Sequence, residues 1–163
     1  MKQHTYQVRV NWTGNAGEGT KNYKSYRRDL TIESPGKPPI PGSSDPAFRG
    51  DPSRYNPEDL LVASLSSCHM LWYLHLCAMN HLTVVDYEDR ASGVMQEHDD
   101  GSGEFVSVQL KPSVRILTGD DHEKALALHA EAHRLCFVAR SVNFPVEIVA
   151  EILDAGSSAA SNG

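Results

Sequence analysis

The sequence predicts an α+β protein whose sheets are mainly antiparallel. Strand-like segments and two segments with helical periodicity alternate in the order β-β-loop-α-β-β-α-β, so most strands are neighbours in sequence. The 163 residues are 40% hydrophobic and 22% charged, a balance typical of globular proteins. We therefore expect a single domain over residues 1–154, followed by a flexible tail at residues 155–163.

Two strands and a long loop are expected first. Apolar and polar residues alternate from Tyr6 to Trp12, which is typical of a half-buried strand. The turn sequence "GNAGEG" leads to a second predicted strand from Tyr23 to Ile32. Residues 34–55 contain six of the nine prolines, so this segment is predicted to be a loop.

The segment "NPEDLLVASLSSCHMLWYLHLCAMN" predicts a long central helix. Asn56 is a good N-cap, Pro57 suits the first helical position, and Glu58 and Asp59 follow where the helix dipole favours negative charge. The helix is apolar on nearly every face, so we expect it to be buried. Serines and histidines interrupt the apolar run, so no membrane span is expected.

The second half predicts three more strand segments and a helix. The strands are expected at residues 82–97, 103–117 and 142–153, with Pro145 favouring an edge or a bulge in the last one. The second helix should begin near Asp120 or Asp121. Its apolar face would comprise Ala125, Leu128, Ala132, Leu135, Cys136 and Ala139.

The charge balance and the cysteine count exclude several classes. The formal net charge is −6 and no basic stripe is present, so nucleic acid and anionic membranes are not expected partners. The N-terminal sequence has no signal-peptide pattern, and three cysteines do not suit a secreted disulfide framework. A cytoplasmic location is expected, where thiols stay reduced.

The three cysteines differ in their expected surroundings. Cys68 and Cys77 would lie on opposite faces of a continuous helix, about 13.5 Å apart along its axis, so they should not pair. Cys77 is interpreted as a buried apolar residue. Cys136 can face Cys68 if the two helices pack together. The sequence "SSCH" gives Cys68 a polar environment, which a reactive thiol needs and a structural one does not.

A zinc site is a weaker alternative. His129, His133 and Cys136 are spaced to share one helix face, and two imidazoles with a thiolate suit zinc. However, "HAEAH" is not the H-E-x-x-H pattern, and His129 is expected on a solvated face. We therefore expect no metal.

The central helix segment, together with "HRLCFVARSVNFPVEI", resembles the OsmC/Ohr family of osmotically inducible and organic hydroperoxide resistance proteins. The resemblance extends from about Tyr6 to Leu153. It rests on Asn56-Pro57-Glu58, a thiol ten residues after Glu58, and a second thiol on the later helix. It implies an OsmC-like fold, an intertwined homodimer, and a cysteine pair that reduces organic hydroperoxides in oxidative stress defence.

The resemblance also implies the roles of individual residues. Cys68 corresponds to the peroxidatic cysteine, Cys136 to the resolving cysteine, and Glu58 to the carboxylate that orients an active-site arginine. The turn "GNAGEG" lacks the arginine that the Ohr branch has there, and "SSCH" is closer to an OsmC-like branch. Arg28 is our first candidate for this arginine and Arg49 the second. The remaining alternatives are Arg27 and Arg54.

The expected activity is that of a thiol-dependent peroxidase without a cofactor. An external dithiol or lipoyl-type reductant would reopen the disulfide. An apolar wall would favour alkyl or lipid hydroperoxides as substrates. The candidates for this wall are Met70, Leu71, Trp72 and Phe137.

Given the role that the resemblance implies for Glu58, its position also favours a homodimer. Glu58 and Cys68 are about 15 Å apart along a continuous helix, so this carboxylate would serve the thiol of a second chain. The alternative function is a dimeric protein without enzymatic activity that binds an apolar ligand in its interface groove. Cys68 would then act as a redox sensor.

Overall fold

The computed structural model describes residues 2–156, which divide into two compact units at residues 61 and 62. Nine strands and two α-helices within the described residues confirm the predicted α+β class. Four strand pairs are antiparallel and two are parallel. Residues 157–163 of the predicted tail lie outside the described residues, and the single domain over residues 1–154 stays a prediction.

The first unit contains a three-stranded antiparallel sheet of β1 (Arg9–Trp12), β2 (Leu30–Glu33) and β3 (Ile40–Gly42). The prediction that the first strand is half-buried is wrong for the described chain. Val10 is 59% exposed and Trp12 is 45% exposed. The alternation of residue types is present, but the apolar side chains of β1 remain in contact with solvent.

In two segments of this unit, the structure forms turns and short elements where the sequence predicts a longer strand and a loop. The second predicted strand begins at Leu30 rather than Tyr23, because residues 13–29 form turns, in which Asn15 accepts hydrogen bonds from backbone amides. The predicted loop contains β3 and a 3-10 helix at Pro46–Phe48. The prolines exclude long elements here but permit three-residue ones.

Helix α1 (Pro57–Met79) begins where the sequence predicts. The Asn56 side chain accepts a hydrogen bond from the Asp59 amide at 2.7 Å, and the Asp59 carboxylate accepts one from the Asn56 amide at 3.2 Å. Such reciprocal caps satisfy amides that lack partners within the helix. The buried residues recur every four positions on one face, and they are Leu65, His69, Tyr73 and Cys77.

Parts of the other faces of α1 are exposed in the described chain. Leu71 is 63% exposed and Met79 is 66% exposed. By length and composition alone, α1 would also suit a membrane span. That is weak evidence, because the core helices of soluble proteins have the same length and apolar character.

The second unit contains two three-stranded sheets in the orders β4-β7-β9 and β5-β6-β8. The three predicted strand segments each break into two strands that belong to different sheets. Pro145 precedes the edge strand β8, and its carbonyl accepts a hydrogen bond from Val108, which confirms the predicted edge position. The strands are β4 (Val84–Asp89), β5 (Ser92–Glu97), β6 (Gly103–Leu110), β7 (Pro112–Ile116), β8 (Val146–Ile148) and β9 (Glu151–Asp154).

Helix α2 (His122–Leu135) starts at the Asp121 N-cap, whose side chain accepts a hydrogen bond from the Lys124 amide at 2.9 Å. The start agrees with the prediction, but the helix ends before Cys136, which has extended backbone dihedrals. A 3-10 helix at Ala139–Ser141 follows. The core that joins the helices to the sheets includes Tyr73, Cys77, Leu82, Val114, Ile116, Ala125 and Ala132.

Candidate active site

Two thiols from different elements meet in the second unit. Cys68 lies on α1 and is partly buried, whereas Cys136 caps the C-terminus of α2 and is 1% exposed. Both are free thiols, and their side chains are within hydrogen-bonding contact. The structure therefore brings together the two cysteines that the sequence singled out.

The two sulfur atoms have unequal environments. Burial, and secondarily the hydrogen bond to Cys68, raises the pKa of Cys136 to about 11. The backbone amide of Ala139 donates a hydrogen bond to the Cys136 sulfur at 3.4 Å and acts in the opposite direction. Cys136 is therefore a thiol at neutral pH, with an amide donor in place to stabilise the thiolate when one forms.

Cys77 is a core residue, as predicted. It is 1% exposed and belongs to the cluster between α1, α2 and the sheet. Burial raises the pKa of its thiol, and Tyr73 forms a hydrogen bond with it. An inert, protonated thiol is consistent with a packing role.

A buried histidine pair joins α1 and α2. His69 is the residue after Cys68, and its Nε2 atom lies 2.9 Å from Nδ1 of His129 on α2. The His129 ring stacks on Tyr73 with ring centroids 3.8 Å apart. His129 is only 4% exposed, so the expectation that it lies on a solvated face is wrong. The hydrogen bond to His69 gives the buried imidazole of His129 a polar partner, which lowers the free-energy cost of burying it.

The pair is held in the neutral state. Burial lowers the pKa of His69 to about 4 and that of His129 to about 3. The outer ring nitrogens, Nδ1 of His69 and Nε2 of His129, have no hydrogen-bond partner within residues 2–156. The nearby carboxylate of Asp89 acts in the opposite direction and raises the pKa of His69. The same carboxylate accepts a hydrogen bond from the Ser66 hydroxyl at 2.5 Å.

Sequence reasoning missed this pair although a signal was present. His69 and Tyr73 are four residues apart on one helix, and His129 lies between Ala125 and Ala132 on the other. Those alanines are fully buried, so a histidine between them is on the inner face. The three residues considered for zinc do not form a metal site. Within residues 2–156, no group of three metal-ligating side chains could hold an ion.

An apolar recess lies near the thiols. Leu71, Trp72 and His75 line an open cavity of about 260 Å³. Phe137, the residue after Cys136, is 67% exposed and meets the Trp72 ring edge-on at 5.6 Å. Met70 is partly buried and does not line this cavity. Three of the four predicted wall residues therefore lie in one apolar patch.

The candidate arginine lies in the first unit. The Arg28 guanidinium lies over the rings of Tyr23 and Tyr26, at 4.3 Å and 4.1 Å from their centroids. Its Nη1 atom donates a hydrogen bond to the Tyr26 carbonyl at 2.8 Å. Arg49 lies 5.8 Å from the centroid of the Tyr23 ring. Glu58, which belongs to the same unit, forms no ion pair with an arginine within the described chain.

An α+β fold in which a free thiol in the middle of α1 contacts a free thiol at the C-terminus of α2 defines a class of cysteine-pair proteins. This chain belongs to the OsmC-like protein family, whose sequence profile matches residues 50–151. The match includes α1 and both thiols. None of the curated proteins matches the chain.

Solved structures of this family share the fold. An OsmC-like protein of unknown function from Vibrio cholerae is 30% identical, with 93% of this chain and 100% of that chain covered and a TM-score of 0.79. An organic hydroperoxide resistance protein from Elizabethkingia anophelis is 15% identical, with 94% and 99% covered and a TM-score of 0.68. One from Bacillus subtilis is 20% identical, with 92% and 98% covered and a TM-score of 0.59.

The neutral histidine pair predicts a loss of stability in acid. The pKa values of His69 and His129 are depressed in the folded chain, so below pH 6.5 the unfolded chain binds more protons. Their contribution is fully present above pH 6.5 and is lost as pH falls towards 4. We expect the unfolding free energy in urea to fall there by up to about 1.4 kcal/mol per pH unit for each proton bound.

A matched pair of variants tests this assignment. His129→Gln should flatten the pH dependence, whereas His4→Gln, at an exposed position, should follow the wild-type curve. Equal slopes in all three proteins between pH 6.5 and 4 would assign the acid sensitivity to other groups.

Proposed function

We propose that this protein is a thiol-dependent peroxidase that reduces organic hydroperoxides to alcohols. The contact between the partly exposed Cys68 and the buried Cys136 is the observation that carries the proposal. A more accessible thiol can meet a peroxide, and a protected one beside it can capture the oxidised product. The organic hydroperoxide resistance proteins among the structural neighbours support this activity.

The first step oxidises Cys68. Its thiolate attacks the terminal oxygen of the hydroperoxide, the O–O bond breaks, and the alkoxide takes up a proton to leave as an alcohol. Cys68 becomes a sulfenic acid. An arginine would stabilise the thiolate and polarise the peroxide, and we assign this role to Arg28, with Arg49 as the second candidate.

The second step forms the disulfide. The Cys136 sulfur attacks the Cys68 sulfenic acid, an S–S bond forms, and the Cys136 proton leaves with the hydroxyl group as water. Because Cys136 is protonated and buried, it does not compete for peroxide. The Ala139 amide that contacts its sulfur would stabilise the same atom as a leaving thiolate during reduction.

An external dithiol or lipoyl-type reductant would complete the cycle. Its thiolate would attack Cys68, the more exposed sulfur of the disulfide, and release Cys136. Two electrons and two protons then return both cysteines to thiols. The cycle needs no metal or organic cofactor, and it suits a reducing compartment such as the cytoplasm.

The apolar patch supports a preference for alkyl or lipid hydroperoxides. Leu71, Trp72 and Phe137 offer apolar area near the thiols, which a hydrocarbon chain can cover. The same patch favours the second candidate function, in which the protein holds an apolar ligand and Cys68 senses redox state. Catalytic consumption of cumene hydroperoxide with a dithiol donor distinguishes these functions.

We further propose a homodimer in which Glu58 and Arg28 of one protomer serve Cys68 of its partner. The continuous helix α1 separates Glu58 from Cys68 by about 15 Å of axial rise. Exposed apolar residues such as Leu71 leave part of α1 uncovered. A second copy would bring a Cys68 thiol within reach of Glu58 and would cover these apolar side chains.

The three cysteine variants should behave differently. Cys68→Ser should lower turnover to below about 1% of wild type, because a hydroxyl forms no sulfenate. Cys136→Ser should react once and then accumulate sulfinic and sulfonic acids at Cys68. Intact-mass analysis after graded organic hydroperoxide measures these products.

Cys77→Ser is the matched control, because Cys77 is as buried as Cys136 but packs in the core. It should form the disulfide normally and cost about 1–3 kcal/mol of stability. Turnover by Cys68→Ser would refute the peroxidase proposal. Loss of the disulfide in Cys77→Ser instead of Cys136→Ser would refute the pairing.

A lysine at position 28 separates the effect of the positive charge of Arg28 from that of its guanidinium geometry. Arg28→Lys should slow the peroxide reaction at least about tenfold, because lysine lacks the planar guanidinium fork. Glu58→Gln should slow the same step without altering disulfide formation. Stopped-flow oxidation of Cys68 measures both, with Arg90→Lys as a surface control. A wild-type rate for Arg28→Lys would move the assignment to Arg49.

The dimer predicts a solution mass of twice 17.9 kDa. Leu71→Asp should weaken association, because it places a charge in the proposed interface. Light scattering at micromolar concentration measures the mass of both proteins. A wild-type mass of 17.9 kDa would exclude the dimer.

A further inference from the structure

The hydrogen bond between His69 and His129 joins α1 to α2 at a cost in free energy. Both side chains are buried, with His69 1% and His129 4% exposed, and the bond joins their ring nitrogens at 2.9 Å. The second ring nitrogen of each has no hydrogen-bond partner within residues 2–156. Two apolar side chains of similar volume would fill the same space without burying unpaired polar atoms. The pair is therefore better explained by what it positions than by what it stabilises.

Each histidine shares its helix with one of the two contacting thiols. His69 directly follows Cys68 on α1, and His129 precedes Cys136 by seven residues, which is about two turns of α2. Cys136 stays attached to the last turn of α2, because its amide donates a hydrogen bond to the Ala132 carbonyl at 2.9 Å. The position of α2 relative to α1 therefore sets the position of one sulfur relative to the other.

The thiol contact and the histidine bond join the two helices at separate points. Adjacent residues of α1 diverge by about 100° around its axis, so Cys68 and His69 contact different parts of α2. Those parts, Cys136 and His129, are about 10.5 Å apart along the helix axis. The histidine bond thus restricts rotation of α2 about the thiol contact.

Disulfide formation is sensitive to this geometry. The two sulfurs must come to about 2.05 Å, with their Cβ atoms about 3.5–4.5 Å apart and the dihedral angle about the S–S bond at about 90°. A displacement of about 1 Å between reacting groups can slow a reaction about a hundredfold. Attack of the Cys68 thiolate on a peroxide does not involve the Cys136 sulfur, so the same displacement would not slow it.

We propose that His69 and His129 are positioning residues that hold Cys136 in the geometry for disulfide formation with Cys68. The source of the sulfenic acid rests on the proposed peroxidase function, but the positioning applies to any oxidant that joins these two thiols. In the proposed cycle it affects only the second step. There the S–S bond forms, the S–O bond of the sulfenic acid breaks, and the hydroxyl group leaves as water with the Cys136 proton.

The test compares variants that keep the bond with a variant that loses it. An asparagine places a polar atom near the Nδ1 position of a histidine, and a glutamine places one near the Nε2 position. His129→Asn and His69→Gln should therefore preserve a hydrogen bond between the helices. The double variant His69→Leu/His129→Leu loses the bond but leaves neither partner unpaired, so it should be at least as stable as wild type.

Oxidation by an organic hydroperoxide separates the two steps in time. Intact-mass analysis after trapping of the sulfenic acid with dimedone gives the rate of each step. We expect the double variant to form the sulfenic acid at the wild-type rate and the disulfide at least about tenfold more slowly. His129→Asn and His69→Gln should form the disulfide at close to the wild-type rate.

A second measurement needs no peroxide. The proteins are equilibrated with reduced and oxidised glutathione, and each oxidised glutathione takes two electrons from the thiol pair and yields two reduced molecules. The double variant should favour its disulfide at least about tenfold less than wild type, because misaligned thiols have a lower effective concentration. Cys77→Ser, which loses stability within the same helix contact, should match wild type in both measurements.

Two results would overturn the proposal. One is disulfide formation by the double variant at the wild-type rate and with the wild-type equilibrium. The other is an equal loss in Cys77→Ser, because the effect would then follow stability and not position. If wild type does not react with the hydroperoxide, the peroxidase proposal is wrong, and the glutathione equilibrium still decides the positioning role.

Discussion

The close contact between α1 and α2 is the constraint on which the candidate site depends. The inner face of α2 presents Ala125 and Ala132, both fully buried, and these small residues allow the larger side chains of α1 to approach. Tyr73 donates a hydrogen bond to the Ala125 carbonyl at 3.1 Å and fixes the separation of the helices. Because α2 ends at Cys136, this contact places the second thiol beside Cys68.

The helix contact also contains a polar element that an apolar core would not need. Two neutral imidazoles, one from each helix, hydrogen-bond to each other, and each retains a ring nitrogen without a partner among the described residues. Such groups cost free energy when buried, so stability alone does not explain them. They do make the packing directional, because the His69–His129 bond forms at one relative position of the helices. The relative position of α1 and α2, and with it the geometry of the two thiols, is thereby linked to the protonation state of the two histidines.

The sequence predicted local features well and partner-dependent ones poorly. The caps at Asn56 and Asp121 were predictable because they depend on residues three positions apart. The class, the family and the burial of Cys77 were also predictable. The division of the strand segments between two sheets was not, because it depends on which strand lies alongside rather than on local periodicity. The burial of His129 was not predictable from its polarity, because it depends on the hydrogen bond to His69 on the other helix.

Apolar side chains of β1, of α1 and of the segment after α2 remain exposed in the described chain. They include Val10, Trp12, Leu71 and Phe137. In the first unit, Arg28 and Arg49 form no ion pair with a described carboxylate, and Glu58 forms none with a described arginine. The apolar area requires a large complementary surface, which a second copy of the chain would supply. The proposed homodimer would account for both observations, because it would cover the apolar side chains and bring Glu58 and Arg28 to the Cys68 thiol of the partner.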